Sequence, residues 1–294
     1  MTLRRSPRFA LSLVAILAGL LGCENGNTSG NPALGDAPAG QTAPAAEPGY
    51  LTGRVVRPDG SPITTPGVKY SVIIAGVTGV GENNTFRPDV AADGTFKLKL
   101  PPGYFKPAEG KIIVPFEGKT YSLWLHPENS FEGTRESSPG IRQDFVWRLT
   151  GPRPNIFRDP SPNTAGDWYG SLVQMSSTGF RNDIMQPVKP LAAKSKIVFT
   201  FTPTSKLVDG SEAKPVTLER TLRIDGEVDG LCDLPPASYE ISAVATLPDG
   251  TTKPLLMQDE VDTAYEPTAR VTLIPGILTN HYEYLPQGIS WAVE

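Results

Sequence analysis

An internal repeat constrains the fold of this chain more than any other feature. The stretch "FRPDVAADGTFKLKLPPGYF" at Phe86–Phe105 aligns with "LRIDGEVDGLCDLPPASYEI" at Leu222–Ile241, sharing a DG pair and an LPP triplet. The similarity continues on both sides, which predicts a duplicated structural unit. We therefore divide the chain into a leader (1–22), a cysteine and tether (23–48), a first module (49–151), a linker (152–165), a second module (166–276) and a tail (277–294).

Each copy has the alternating pattern of half-buried β-strands. In "TFKLKL", Phe96, Leu98 and Leu100 fall on one face and Lys97 and Lys99 on the other. Similar short runs recur in both copies, separated by turn motifs such as PDG and ADG. The sequence thus predicts an all-β protein made of two tandem Ig-like β-sandwich modules.

The repeated motifs have structural explanations. In "ADGTF", Asp93 can accept hydrogen bonds within its own turn while Gly94 adopts a positive φ. Pro101 and Pro102 end a strand because neither can donate to a ladder. Tyr104 begins the next strand, and we expect its hydroxyl to bond a backbone carbonyl as in a tyrosine corner.

The first copy resembles a known family. "GRVVRPDGSPI" at Gly53–Ile63, followed by "ADGTFKLKLPPGYF", is similar to the carboxypeptidase regulatory-like domain. The second copy retains only DG and "LPP..Y" of that signature. The resemblance implies a transthyretin-like β-sandwich and a non-catalytic attachment, as found in many envelope lipoproteins and sugar-handling proteins.

The N-terminus has the pattern of a signal peptide. Arg4, Arg5 and Arg8 precede an apolar run, Phe9–Leu21, which matches a signal peptide and is too short to span a bilayer. "LLGC" then resembles the lipobox of bacterial lipoproteins, which implies a diacylglyceryl group on Cys23, cleavage before it and further acylation. The alternative is an ordinary secretory signal with a chance cysteine.

The segment after Cys23 is a predicted disordered tether. Residues 24–49 contain no aromatic residue and one leucine, too little apolar surface to offset the entropy of ordering. We expect a protein anchored by its lipid to the exported side of a bacterial membrane, in the cell envelope. With Cys23 lipidated, Cys232 is expected to be a buried, inert thiol.

The charge balance excludes some classes of partner. The chain has 27 basic and 31 acidic residues, and removing the three leader arginines leaves 24 basic residues and a charge near −7. Neither a basic footprint for nucleic acid nor a polybasic patch for anionic lipid is present.

Catalytic, cofactor and metal motifs are also missing. The two histidines, His126 and His281, lie outside any HExxH motif, and no GxSxG or GxxxxGK motif occurs. We therefore expect a protein that is not an enzyme, with no catalytic residues, no cofactor and no metal.

One acidic stretch is similar to the opening of a calcium loop. "DGEVDG" places Asp225, Glu227 and Asp229 like the first ligands of an EF loop, but the twelfth position is Pro236 instead of glutamate. We interpret it as a solvated hairpin.

The candidate ligand-binding residues are Trp124 and His126. In "TYSLWLHP", alternation points Tyr121, Leu123 and Leu125 inward, which leaves Trp124 and His126 outward. An exposed indole can stack on sugar rings, and an imidazole can hydrogen-bond them. The alternative is that the second module or the insert 128–142 covers this face.

Two functions remain open at this point. The first is a non-catalytic envelope lipoprotein that binds a glycan, and the second is a structural lipoprotein that holds a protein partner. A solvent-facing Trp124 favours the first and a buried one the second.

The remaining segments carry simpler expectations. The proline-rich linker is expected to be extended and semi-rigid. Trp168 is expected in the core and Tyr169 at the surface. In the tail, Ile289 and Trp291 are expected to dock on a module or add an edge strand.

Overall fold

The computed structural model describes residues 46–78, 84–152, 168–177, 180–181, 186–187, 190–223, 228, 230–258, 264–274 and 287–293. The predicted leader and most of the predicted tether lie outside these ranges. All twenty elements within them are strands, which confirms the all-β class. No helix in the described part of the chain is long and apolar enough to cross a membrane.

The strands are β1 Tyr50–Val56, β2 Lys69–Thr78, β3 Thr85–Phe86, β4 Thr95–Lys99, β5 Tyr104–Phe105, β6 Glu109–Phe116, β7 Lys119–Pro127, β8 Arg135–Glu136, β9 Ile141–Arg142, β10 Phe145–Val146, β11 Ser171–Ser177, β12 Phe180–Arg181, β13 Gln186–Pro187, β14 Lys196–Pro203, β15 Val216–Thr221, β16 Leu231–Leu234, β17 Ala237–Thr246, β18 Thr252–Gln258, β19 Ala269–Leu273 and β20 Gln287–Val293.

The first module is built from β1 to β10. Their hydrogen-bonded order is β4-β1-β10-β7-β6-β2-β5-β8, with β3 on β2 and β9 on β1. The first strand, β1, pairs in parallel with the last strand, β10, and we call this pairing of first and last strands the closure of the module. The inner side chains form one core, which includes Leu51, Ile74, Phe96, Ile112 and Phe145.

The second module repeats this closure with a different segment. Its main sheet has the order β15-β14-β17-β18-β20-β11-β16, with β19 on β17, and β12 and β13 form a separate hairpin. Strand β20 lies between β18 and β11 and pairs in parallel with β11.

The tail is therefore an internal part of the second module. Ile289 is 1% exposed and Trp291 2% exposed, and both belong to the second core, which confirms that they dock. The strand that contains them is central in the sheet and is not an edge strand.

Four turns share an Asp-Gly-Ser or Asp-Gly-Thr motif and one geometry. They are Arg57–Ser61, Ala91–Thr95, Leu207–Ser211 and Leu247–Thr251, each with Asp-Gly-Ser or Asp-Gly-Thr at its end. In each turn the first residue donates its N–H to the carbonyl of the fifth and accepts from the glycine N–H. The aspartate Oδ1 accepts the N–H two residues on at 2.8 to 3.0 Å.

These turns confirm the predicted roles of Asp93 and Gly94. Gly94 has φ of 85°, and the Thr95 hydroxyl and N–H both donate to Asp93. Those bonds, the hydroxyl first, lower the pKa of the Asp93 carboxyl.

The tyrosine corner forms in the second module and not at Tyr104. Tyr104 is 46% exposed, whereas Tyr239 is 1% exposed and its hydroxyl donates to the Pro235 carbonyl at 2.8 Å. The loop before Tyr239 is one residue longer than the loop before Tyr104. Because side chains alternate along a strand, one extra residue moves the tyrosine to the other face.

The predicted burial of Trp168 and of Tyr169 is wrong in both cases. Trp168 is half-buried and Tyr169 is 7% exposed. Trp168 forms an isolated bridge with Pro152 ahead of β11, so it occupies the junction between modules and not a core position of a strand.

Cys232 also differs from its predicted state. It is buried as expected, at 8% exposure, but it is disulfide-bonded and not a thiol. The sequence has one other cysteine, Cys23, which lies outside the described residues.

Candidate binding face and module junction

Trp124 lies on the outer face of β7, where it is held by a lysine. Leu123 and Leu125 on either side are buried, as the alternation predicts. Lys111 of β6 is directly opposite Trp124, and its Nζ lies 4.0 Å from the centre of the indole ring. An ammonium over an aromatic face is attracted by the ring quadrupole. Trp124 is thus half-buried, with Lys111 over one face of the ring.

The rest of this face can be derived from strand register. Ser71 of β2 is opposite Lys111, so Ser71, Lys111 and Trp124 form a row across three strands. The neighbouring row contains Lys69, Ile113 and Ser122. We call these six residues the Trp124 face, which combines one indole, one isoleucine, two ammonium groups and two hydroxyls.

The predicted covers of Trp124 lie elsewhere. The insert after β7 pairs through β8 with β5 and through β9 with β1, away from the β6–β7 pair. The polar contacts to the second module that we describe next come from Arg57, Thr65, Glu117 and Gly151. Trp124 belongs to neither hydrophobic core. His126 lies opposite Val146 in β7, and its side chain is outside the described part of the structure.

Two polar clusters join the modules. In the first, Arg57 forms an ion pair with Asp209, which is 8% exposed on its side chain. Thr65 Oγ1 donates to the Asp209 carbonyl at 2.6 Å, and Arg57 Nη2 donates to the same carbonyl at 3.1 Å. Both partners belong to the repeated turns, so one turn of each module contacts the other.

The second cluster surrounds Glu117 in the β6–β7 turn. Its Oε2 accepts from Ser238 Oγ at 2.5 Å and from Thr272 Oγ1 at 3.4 Å. Apolar contacts accompany both clusters, because Val208 and Ile274 of the second module pack into the first core. The two modules are therefore docked along a mixed polar and apolar interface.

Asp233 hydrogen-bonds both residues between which the chain passes from one module to the other, and we call this place the junction. Its carboxylate accepts the Gly151 N–H at 2.8 and 3.0 Å and the Gly170 N–H at 3.2 Å. Burial raises the pKa of Asp233 to about 6, and the two N–H donors oppose that rise. Asp233 has φ of 61°, a left-handed conformation that aspartate tolerates better than most residues.

This junction changes the interpretation of the linker. Gly151 and Gly170 share one carboxylate, Tyr169 N–H donates to the Gly151 carbonyl at 2.9 Å, and Pro152 bridges to Trp168. The chain thus leaves the first module at Gly151 and enters the second module at Gly170, and these two points are adjacent. Residues 153–167, which include nearly all of the predicted linker, lie outside the described residues, and the residues on either side of them, Pro152 and Trp168, are joined by one β-bridge.

The tether enters at the opposite end of the first module from this interface. Glu47 and Gly49 lie just before β1. Glu47 pairs with Lys97 of β4, and the Gly49 N–H donates to the Ser137 carbonyl. The other end of β1 leads directly into Arg57 at the interface. Seven residues of strand separate the two ends, about 20 Å.

The described residues contain no group of three or more His, Cys, Asp or Glu side chains that could hold a metal ion. Asp225, Glu227 and Asp229 lie outside the described residues. Comparison with protein-family models, curated proteins and solved structures gave no match. The resemblance to the carboxypeptidase regulatory-like domain therefore rests on the sequence motifs alone.

Sequence reasoning missed Lys111, although the signal was present. A two-residue turn, Glu117 and Gly118, joins β6 to β7, so residues pair outward from Phe116 and Lys119. Counting five residues outward on each strand places Lys111 opposite Trp124. The contacts of Asp209 and Asp233 had no such local signal.

Proposed function

We propose that this chain is a non-catalytic, lipid-anchored protein of the bacterial cell envelope that binds carbohydrate through the Trp124 face. The observation that carries the proposal is the half-buried indole of Trp124 beside Lys111 on an outer sheet face. The exposed part of the indole is available for stacking on a sugar ring. Lys69, Lys111 and the two serines supply hydrogen-bond donors around it.

The anchor follows from the leader and from Cys23. A diacylglyceryl thioether uses the sulfur of Cys23, and the same sulfur cannot then form a disulfide. The anchor therefore requires that the sulfur of Cys232, which is disulfide-bonded in the structure, is a thiol in the anchored protein.

The anchor is tested on the processed protein by mass spectrometry of its N-terminal peptide and by alkylation of Cys232. We expect a lipid-modified Cys23, and a Cys232 that reacts with maleimide in denaturant without prior reduction. An unmodified Cys23 together with a Cys232 that reacts only after reduction would contradict the anchor.

The glycan proposal is tested with the mature chain carrying Cys23→Ser, bound to an array of envelope and plant polysaccharides. We expect Trp124→Ala to weaken binding at least about tenfold, or about 1.4 kcal/mol. The matched control is Tyr50→Ala, which removes the other lysine–aromatic contact of the module, Lys97 over Tyr50 at 4.3 Å, outside the Trp124 face. Equal losses in both variants, or no binding by the parent chain, would overturn the proposal for the glycans tested.

A second candidate is a structural lipoprotein that holds a protein partner. Lys111 over the Trp124 ring favours this candidate, because the indole is then already engaged on one face. Cross-linking in the cell distinguishes the two: a protein captured from the Trp124 face, without glycan binding, supports the second.

A further inference from the structure

The exposed tyrosine of the first module lies beside the point where the tether enters. Among the described residues, Tyr104 and Val244 are the large hydrophobic side chains that are clearly exposed, at 46% and 44%. The Gly49 N–H donates to the Ser137 carbonyl, and the Ser137 N–H donates to the Gly103 carbonyl, at 3.1 and 2.9 Å. Ser137 thus links Gly49, at the end of the tether, to Gly103, the residue just before Tyr104.

The duplicated module provides an independent comparison. The corresponding Tyr239 is buried and satisfies its hydroxyl internally. In the first module the shorter loop turns Tyr104 outward and places Phe105 in the core instead, at 0% exposure. In the first module the core therefore contains Phe105, and the ring of Tyr104 lies at the surface.

The surroundings of Tyr104 are basic for so acidic a chain. Lys99 and Lys106 are exposed on either side of the loop. Lys97 is neutralised by Glu47, and Arg135 and Glu136 in β8 offset each other. With exposed Glu132 of the same insert included, four basic and three acidic side chains give this end of the module a net charge near +1, whereas the whole chain carries −4.

We infer that the Tyr104 end of the first module rests on the surface of the membrane that holds the anchor. This inference rests on the lipid anchor in the proposed function. Cys23 and Ala46 are separated by 22 residues, and if this tether is the coil that its composition predicts, its mean reach is roughly 25 Å, which brings this end within contact distance of the lipid. Tyrosine and lysine side chains suit the headgroup layer, since each has an apolar body and a polar tip.

The contact orients the protein, and the lipid anchor holds it. One net charge and one aromatic ring give weak adsorption by themselves. With the Tyr104 end against the lipid, the second module lies at the distal end of the molecule, because it docks at the opposite end of β1.

The experiment places a tryptophan at each exposed site in the full lipidated chain. Tyr104→Trp and the matched control Val244→Trp are reconstituted into vesicles of anionic and zwitterionic phospholipid, with and without spin-labelled headgroup-region lipid. The wild-type chain, which has four tryptophans, gives the background. We expect the added emission of Tyr104→Trp to fall by more than half with the spin label, and that of Val244→Trp to stay unchanged.

The outcomes separate the two proposals. A chain that floats with the vesicles while both variants are equally insensitive to the spin label overturns the orientation and leaves the anchor intact. A chain that does not float with the vesicles overturns the anchor and this inference with it. In the Cys23→Ser background, quenching at position 104 should be lost, since the anchor supplies the local concentration.

Discussion

The two modules share their turns and their closure but differ in what completes each one. Each has a first strand that pairs in parallel with its closing strand: β1 with β10, and β11 with β20. In the first module the closing strand comes directly from the repeat. In the second it comes from the tail, and the repeat segment that aligns with β10 instead forms β19 on β17. Both modules therefore keep a parallel partner for the first strand, but that partner is β10 of the repeat in one module and β20 of the tail in the other.

The modules also place the same turn motif in different surroundings. Asp59 and Asp209 occupy the same position of the repeated turn, yet Asp59 is exposed and Asp209 is 8% exposed and paired with Arg57. Tyr104 and Tyr239 show the same contrast. A duplicated motif thus preserves local backbone geometry, whereas burial depends on what packs against the motif.

The largest expected effect tests the closure of the second module. Trp291→Ala should lower the free energy of unfolding by about 3–5 kcal/mol, because it removes a buried aromatic ring from the core. Chemical denaturation of Trp124→Ala is the comparison, with an expected loss under about 1 kcal/mol. Similar losses in both variants would show that β20 does not complete the sheet.

The next effect tests the docking of the modules. Arg57→Ala leaves Asp209 with its buried carboxylate unpaired and should cost about 2–3 kcal/mol. Calorimetry should then show two separate transitions where the wild type shows one. A single unshifted transition would mean that the ion pair does not couple the modules.

The third effect depends on pH at Asp233. Its folded pKa of about 6 lies above the ordinary value of 3.8, so the native state binds the proton more tightly. This group's contribution to stability is therefore greatest below about pH 4 and is lost as the pH rises through 6.

Asp233→Asn keeps an acceptor oxygen and removes the charge. We expect it to raise the free energy of unfolding on the order of 2 kcal/mol at pH 7.5, with the difference vanishing near pH 4. Urea denaturation of both proteins across this range measures the effect. A difference of opposite sign at pH 7.5 would show that the N–H donors outweigh burial.

The smallest effect compares the two tyrosines directly. Tyr239→Phe removes a buried hydroxyl and leaves the Pro235 carbonyl without that donor, which should cost about 1 kcal/mol. Tyr104→Phe should leave the midpoint of thermal unfolding unchanged. Equal shifts in the two variants would contradict the assignment of the tyrosine corner to the second module alone.

Local patterns predicted much of this structure. Alternation placed Phe96, Leu123 and Leu125 inward, and the turn at Asp93 and Gly94 forms as expected. The apolar residues of the tail also indicated that it docks. Each of these features depends on neighbours within a few residues, so the sequence contains the necessary information.

The junction could not be predicted in the same way. Arg57 and Asp209 are 152 residues apart, and each belongs to a turn that looks like its exposed counterparts. Asp233 was unremarkable in the sequence because its two donors are backbone N–H groups from another part of the chain. Such contacts depend on how the modules pack, and the residue types alone do not specify them.

The adjacent exit and return of the chain at Gly151 and Gly170 make this junction a natural insertion point. In an extended spacer, each added residue would move the second module by about 3 Å. Here Pro152 and Trp168 are already bridged, so we expect residues added between them to leave the bridge and the docked interface in place. We therefore expect this junction to accept an inserted peptide with less loss of stability than a strand or a docked turn would.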